Sequence, residues 1–229
     1  EFYDIDLLPF PARDLINNKL YVDPENGAPL TPILTSRGCP ALCVFCPVFL
    51  VSGRRLRLRS VDLIINEIKE CIDKYEIKSF LFRSDTFTMD RKWLLELCSK
   101  IIENNLDIRW GANSRIDTID YEKVKAMSDA GCSVSSFGVE SGDSEIQKHI
   151  KKFLKLDDVK KAVKICRDCK VMSMLYFVIG LPWDNVETIR NTVIFAKNSR
   201  ADFFEFHSAY PFPGTEMYNL GLKDKLFSK

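Results

Sequence analysis

Six short runs of β-branched and aromatic residues recur along the 229-residue chain, at 33–36, 79–84, 108–114, 134–139, 172–179 and 203–208. Between them lie runs with helical spacing, at 61–75, 91–104, 121–130, 144–169 (long enough for two helices) and 186–198, and a short one at 215–220 follows the last strand. Strands separated by helices pair in parallel, each crossover returning the chain to the same end of the sheet. A closed barrel of eight such units needs about 250 residues. The expectation is therefore an α/β fold, a partial TIM-like (β/α)6 barrel of parallel strands over residues 32–229. Residues 1–31 carry a Pro-rich stretch and a turn at 23–27 but no periodicity, so they are expected to form an extended arm or connector.

Side-chain parity carries the reading further, because successive strand residues point to opposite faces. The helix-covered outer face of such a sheet must be apolar, which sends polar residues of the other parity into the lumen. On the second strand Phe80 and Phe82 face out, and Arg83 and Asp85 face in. The third puts Trp110 and Ala112 outside with Asn113 and Arg115 inside; the fourth puts Phe137 and Val139 outside with Ser136, Gly138 and Glu140 inside. On the sixth, Phe204 and Phe206 go out while Glu205 and His207 go in. Four strands thus place a polar, charged lumen near their C-terminal ends, where barrel enzymes keep their chemistry.

One loop opens onto that end. TSRGCPALCVFCP, at 35–47, follows the first strand and carries Cys39, Cys43 and Cys46 in the spacing C-x3-C-x2-C. Three thiols cannot pair off as disulfides. Iron–sulfur clusters are held by Cys thiolates, usually four, so three leave one iron without a protein ligand. Gly38 suits a loop wrapped closely round such a group. The alternative is a zinc knuckle, although structural zinc normally takes four ligands in two pairs.

With an aromatic residue, Phe45, before its last Cys, this motif resembles the signature of the radical S-adenosylmethionine (radical SAM) superfamily, and the resemblance extends over nearly the whole chain. It implies that Cys39, Cys43 and Cys46 bind three irons of a 4Fe–4S cluster while the fourth chelates SAM. Reduction then splits the sulfonium to release a deoxyadenosyl radical. RSDTFT at 83–88 resembles the site of the SAM amino group, making Asp85 a candidate; a loop support or helix cap is its alternative role. FGVESG at 137–142 resembles the fourth-strand motif that meets the ribose, with Glu140 the candidate and Ser136 beside it; a structural pair with Arg115 is the alternative. Arg115 is also a candidate for the SAM carboxylate. YFVIGLPWDNVET at 176–188 resembles the strand edge that binds adenine, bringing in Gly180, with Phe45 alongside. YPFPGTEMY at 210–218 resembles the sixth-strand exit, and LRLRSVDLIINEI at 56–68 the entry to the first helix, with Ser60 its expected cap.

LPFPARDL, at 8–15, resembles the connector before the barrel in the cobalamin-dependent branch. The cobalamin motif of that branch, D-x-H-x-x-G, does not occur in these residues, whose only histidines are His149 and His207. Cobalamin and methyltransferase-type chemistry are therefore expected only if a separate domain supplies the cofactor. The resemblance further implies a small-molecule substrate and a low-potential electron donor of flavodoxin or ferredoxin type. An iron–sulfur electron carrier without SAM chemistry, or a zinc-stabilised binding module, would share the cysteine loop but not the polar lumen.

The remaining residues set limits. Thirty-three basic against 32 acidic residues leave a net charge of +1, which does not suggest a nucleic-acid partner. No apolar run is long enough to span a membrane, and clustered cysteines suit a reducing compartment, so the cytoplasm is expected. Cys71, Cys98 and Cys132 read as small core hydrophobes. Cys166 and Cys169 form a lone C-x2-C within a helical run, too few ligands for a second metal. His149 reads as a surface residue; His207 is a candidate near the substrate together with Glu205, or else a core histidine.

Overall fold

All six expected strands form in the computed structural model, which describes residues 4–225. They are β1 (Leu30–Leu34), β4 (Ser79–Arg83), β5 (Arg109–Ser114), β6 (Cys132–Glu140), β7 (Met172–Ile179) and β8 (Phe203–Ser208). They make one sheet in that order, with every neighbouring pair parallel, so β1 and β8 are edges. A two-residue ribbon, β2 (Ser36–Arg37) against β3 (Arg57–Leu58), lies between the first strand and its helix, and neither was expected.

The helices are α1 (Val48–Val51), α2 (Val61–Tyr75), α3 (Arg91–Glu103), α4 (Tyr121–Asp129), α5 (Ser144–His149), α6 (Leu156–Asp168), α7 (Val186–Asn198) and α8 (Glu216–Lys223). The run at 144–169 is indeed two helices. Most start where a short polar side chain accepts a bond from a free backbone N–H: Asp90 before α3, Asp120 before α4, Asp143 before α5, Asn185 before α7 and Thr215 before α8. Ser60 does not cap α2 in this way; its own N–H donates to Asp6 Oδ1 at 2.8 Å.

The core fills the space between the sheet's outer face and the helices, as parity requires. Phe80, Phe82, Trp110, Ala112, Phe137 and Val139 are all buried there, and Phe82 stacks on Trp110 at 4.7 Å between ring centroids. Each of the buried phenylalanines and Val139 contributes about 1.5–3 kcal/mol through removal from water. Cys71, Cys98, Cys132, Cys166 and Cys169 belong to the same core. The outer face of β8 departs from the pattern. Phe206 stacks on the buried Phe177 at 5.3 Å, which puts it on the expected face, yet Phe204 and Phe206 remain 47% and 36% exposed. Among the described residues, no helix covers this edge.

The N-terminal arm is mostly exposed and is pinned to the barrel at a few points. Three 3-10 turns, Ile5–Leu7, Arg13–Leu15 and Asn18–Leu20, carry it to β1. Ile5 and Arg13 are buried, and Arg13 donates to Glu67 on α2 at 2.6 Å and to the Pro32 carbonyl at 2.9 Å. The turn at 23–27 closes through the Gly27 N–H on the Asp23 carbonyl at 2.8 Å. The outer ends of the two expected spans, residues 1–3 and 226–229, lie outside the described residues.

Candidate functional site

The cysteine loop is tied down on two sides. Toward β4, the Thr35 N–H and hydroxyl both donate to the Arg83 carbonyl, at 2.9 and 3.0 Å, and the Gly38 N–H donates to Asp85 Oδ2 at 2.6 Å. On the far side the Val44 N–H reaches the Ile150 carbonyl after α5, and the Val44 carbonyl accepts from Met217 of α8. Gly38 has φ +94°, and a Cβ there would lie 2.0 Å from the Arg55 carbonyl oxygen, so only glycine fits. The loop is thereby held over the C-terminal ends of β4 to β7.

Beneath it lies a cavity of about 180 Å³ lined by all three thiols together with Phe45, Asp85, Asn113, Arg115, Ser136, Gly138, Glu140, Lys152 and Tyr176. Parity therefore sends Asp85, Asn113, Arg115, Ser136 and Glu140 to one space, as expected. Glu140 reaches it in an unexpected way. The pairing of β6 with β7 slips between Gly138 and Glu140, and Glu140 has φ +70°, a costly value for a residue with a Cβ. Its side chain turns over Gly138, where an added Cβ would meet Glu140 Oε1 at 2.3 Å. The carboxylate is held by Lys152 Nζ at 2.5 Å, both side chains being about nine-tenths buried.

Lys152 is the residue sequence reasoning missed, and Arg115 is not the partner of Glu140. Arg115 is clamped by Asp117 through two hydrogen bonds, 2.9 and 2.7 Å, and its Nη1 lies 4.0 Å from Cys43 Sγ. Burial works against the Arg115 charge, but Asp117 and Cys43 outweigh it and hold the guanidinium protonated well above its ordinary range. Burial pushes the Cys39 and Cys46 thiols up, opposed by the backbone N–H groups of Ala41 and Val48 respectively. A bound cation would reverse this by favouring the thiolates. Among the described residues no three His, Cys, Asp or Glu groups converge as a single-ion site does. Three thiols round one cavity, facing a guanidinium and two carboxylates, fit a larger polynuclear group that carries a charged ligand.

Other expected positions separate from the cavity. Gly180 forms the turn after β7 with φ +83°, its N–H held by Asp184 at 2.9 Å, and it does not line the cavity. Glu205 and His207 share the inner face of β8, 3.4 Å apart, but both side chains are more than half exposed and neither lines the cavity. The nearest link is Tyr176, whose ring lies 5.7 Å from that of His207. His149 is exposed as expected, although its ring stacks on Trp183 at 4.9 Å. Phe45 lines the cavity and also packs against a small cluster with Ile146, Ile150, Leu181 and Met217.

The family model of the Radical SAM superfamily matches residues 33–196. An uncharacterized methyltransferase of Pyrococcus horikoshii is 34% identical over 97% of this chain and 48% of its own length. Bacteriochlorophyllide d C-12(1)-methyltransferase of Chlorobaculum tepidum is 29% identical over 86% of this chain and 43% of its own. The chain thus spans about half the length of these relatives. Among solved structures, the radical S-adenosylmethionine methyltransferase TsrM of Kitasatospora setae, with cobalamin and a 4Fe–4S cluster bound, superimposes with a TM-score of 0.77. It shares 20% identity and covers 83% of this chain and 39% of that one, a likeness of fold.

Proposed function

Because the chain belongs to the radical SAM superfamily, we propose that it forms the catalytic barrel of an enzyme that cleaves S-adenosylmethionine reductively to modify a substrate not yet identified. The observation that carries this reading is the gathering of Cys39, Cys43 and Cys46 with Asp85, Arg115 and Glu140 round one cavity. Cys39, Cys43 and Cys46 would hold the cluster, and a bound 4Fe–4S cluster with SAM supplies one-electron cleavage of the sulfonium.

The chain's own residues bind and orient. Asp85, already anchoring the loop through Gly38, would take the SAM amino group with its cavity-facing oxygen. Glu140, fixed by Lys152, and Ser136 would take the ribose hydroxyls, and Phe45 would lie along the adenine. Arg115, pre-set by Asp117, would hold the cluster edge at Cys43 or the SAM carboxylate. Gly180 would act through the shape of its turn. Glu205 and His207 would act on the substrate side, at the open flank of the sheet.

The named relatives favour methyl transfer as the outcome, and cobalamin joins the proposal only through a separate domain. A flavodoxin- or ferredoxin-type protein is the proposed reductant. The test is anaerobic reconstitution followed by dithionite and SAM, assayed for deoxyadenosine or S-adenosylhomocysteine. Either product supports the proposal; a stable cluster that yields neither supports an electron carrier instead.

A further inference from the structure

A second cavity, of about 490 Å³, lies where the N-terminal arm meets β1 and β4, and it shares no lining residue with the cysteine cavity. One wall is apolar, formed by Ile5, Leu8, Pro9 and Pro11 of the arm. The other carries Arg37, Arg59 and Arg83. The carboxylate that also faces this space, Glu67, is fully buried and already committed, one oxygen to Arg13 and the other to Arg59. Asp6, nearby on the arm, accepts from the Ser60 N–H.

The positive charge is therefore in excess. Arg59 is 3% exposed, and although its Nη1 donates to Glu67 and to the Leu34 carbonyl, its Nε is buried with no partner. The side chains of Arg37 and Arg83 are exposed and make no hydrogen bond or ion pair among the described residues. A guanidinium matches the paired oxygens of a carboxylate or phosphoryl group better than it matches water. An oxyanion in the cavity would meet the exposed Arg37 and Arg83 together, with the Arg59 charge behind them. An apolar body attached to it would lie along the proline wall.

We infer that this cavity is an oxyanion subsite, taking a carboxylate or phosphoryl group carried on an otherwise apolar molecule. That this molecule is the substrate rests on the proposed function. Its position agrees: Arg83 ends β4 two residues before Asp85, and Arg37 adjoins Gly38 at the start of the cysteine loop.

The test is calorimetric titration of the cluster-loaded chain with inorganic pyrophosphate and, separately, with octanoate, taking octanol as the uncharged control. At least one acid is expected to bind saturably and octanol not to, and the acid that binds identifies the group. The double variant R37Q/R83Q is expected to bind that acid about tenfold more weakly or worse, with R37K/R83K falling between. Both side chains are exposed, so the fold is not at stake. Saturable binding of neither acid, or an affinity unchanged in R37Q/R83Q, overturns the subsite. SAM cleavage measured on the same wild-type sample separates the two claims. An acid that binds where SAM is not cleaved leaves the subsite standing and removes the enzyme reading; cleavage without acid binding removes the subsite alone.

Discussion

At the scale of single residues, environment divides eight chemically identical thiols into two populations. Cys39, Cys43 and Cys46 line a cavity, whereas the other five lie in the core. Burial pushes Cys71 up to about 11 and Cys98 and Cys166 up to about 12. Alkylation needs the thiolate and access to it, so iodoacetamide at about pH 8 should label three cysteines in the native cluster-free chain and all eight after unfolding, counted by mass. The core thiols hold their protons more tightly folded than unfolded. Their contribution to stability is thus complete below the ordinary value of 9.0 and declines as pH rises from there toward about 12. Lys152 provides a second residue-level prediction. Lys152→Met leaves the Glu140 carboxylate without its cation, and SAM binding, read from its effect on the cluster spectrum, should weaken about tenfold or more; Lys152→Arg should recover part of it. The cysteine loop was legible from spacing, and Asp85 and Glu140 from parity and resemblance. Lys152 was not, since its approach to Glu140 depends on a strand slip and a positive φ that no local pattern encodes.

At the scale of elements, helix and strand positions were readable because each strand's apolar face and each helix's period report the same covered sheet. Ser60, the cap expected of α2, does not act as one; its N–H is taken by Asp6 of the arm. What anchors the arm was not legible, because its anchors are contacts distant in sequence. Arg13 is 54 residues from Glu67, and the buried trio of Arg13, Glu67 and Arg59 joins the arm to α2 and the end of the cysteine ribbon. Breaking a buried pair is costly because the remaining charge stays buried. Glu67→Gln should therefore cost about 3 kcal/mol, seen in thermal denaturation as a Tm lower by about 6–12 °C for a chain of this size. An unchanged Tm would mean that the arm is held by its apolar contacts alone.

At the scale of the whole molecule, six parallel strands leave a sheet with two free edges, and the chemistry gathers at one end of it. The arm fills in beside β1, while β8 keeps its phenylalanines partly in solvent and turns Glu205 and His207 toward the open flank. The exposure of β8 could not be foreseen from parity, which tells which way a side chain points but not what lies opposite. The central claim is that this end of the sheet holds an iron–sulfur cluster on three thiols. The most direct measurement is the iron content and visible absorbance of the anaerobically reconstituted wild-type chain beside Cys43→Ala. The account predicts about four irons per wild-type chain and loss of the cluster in the variant; zinc in place of iron, or a full cluster in Cys43→Ala, would contradict it.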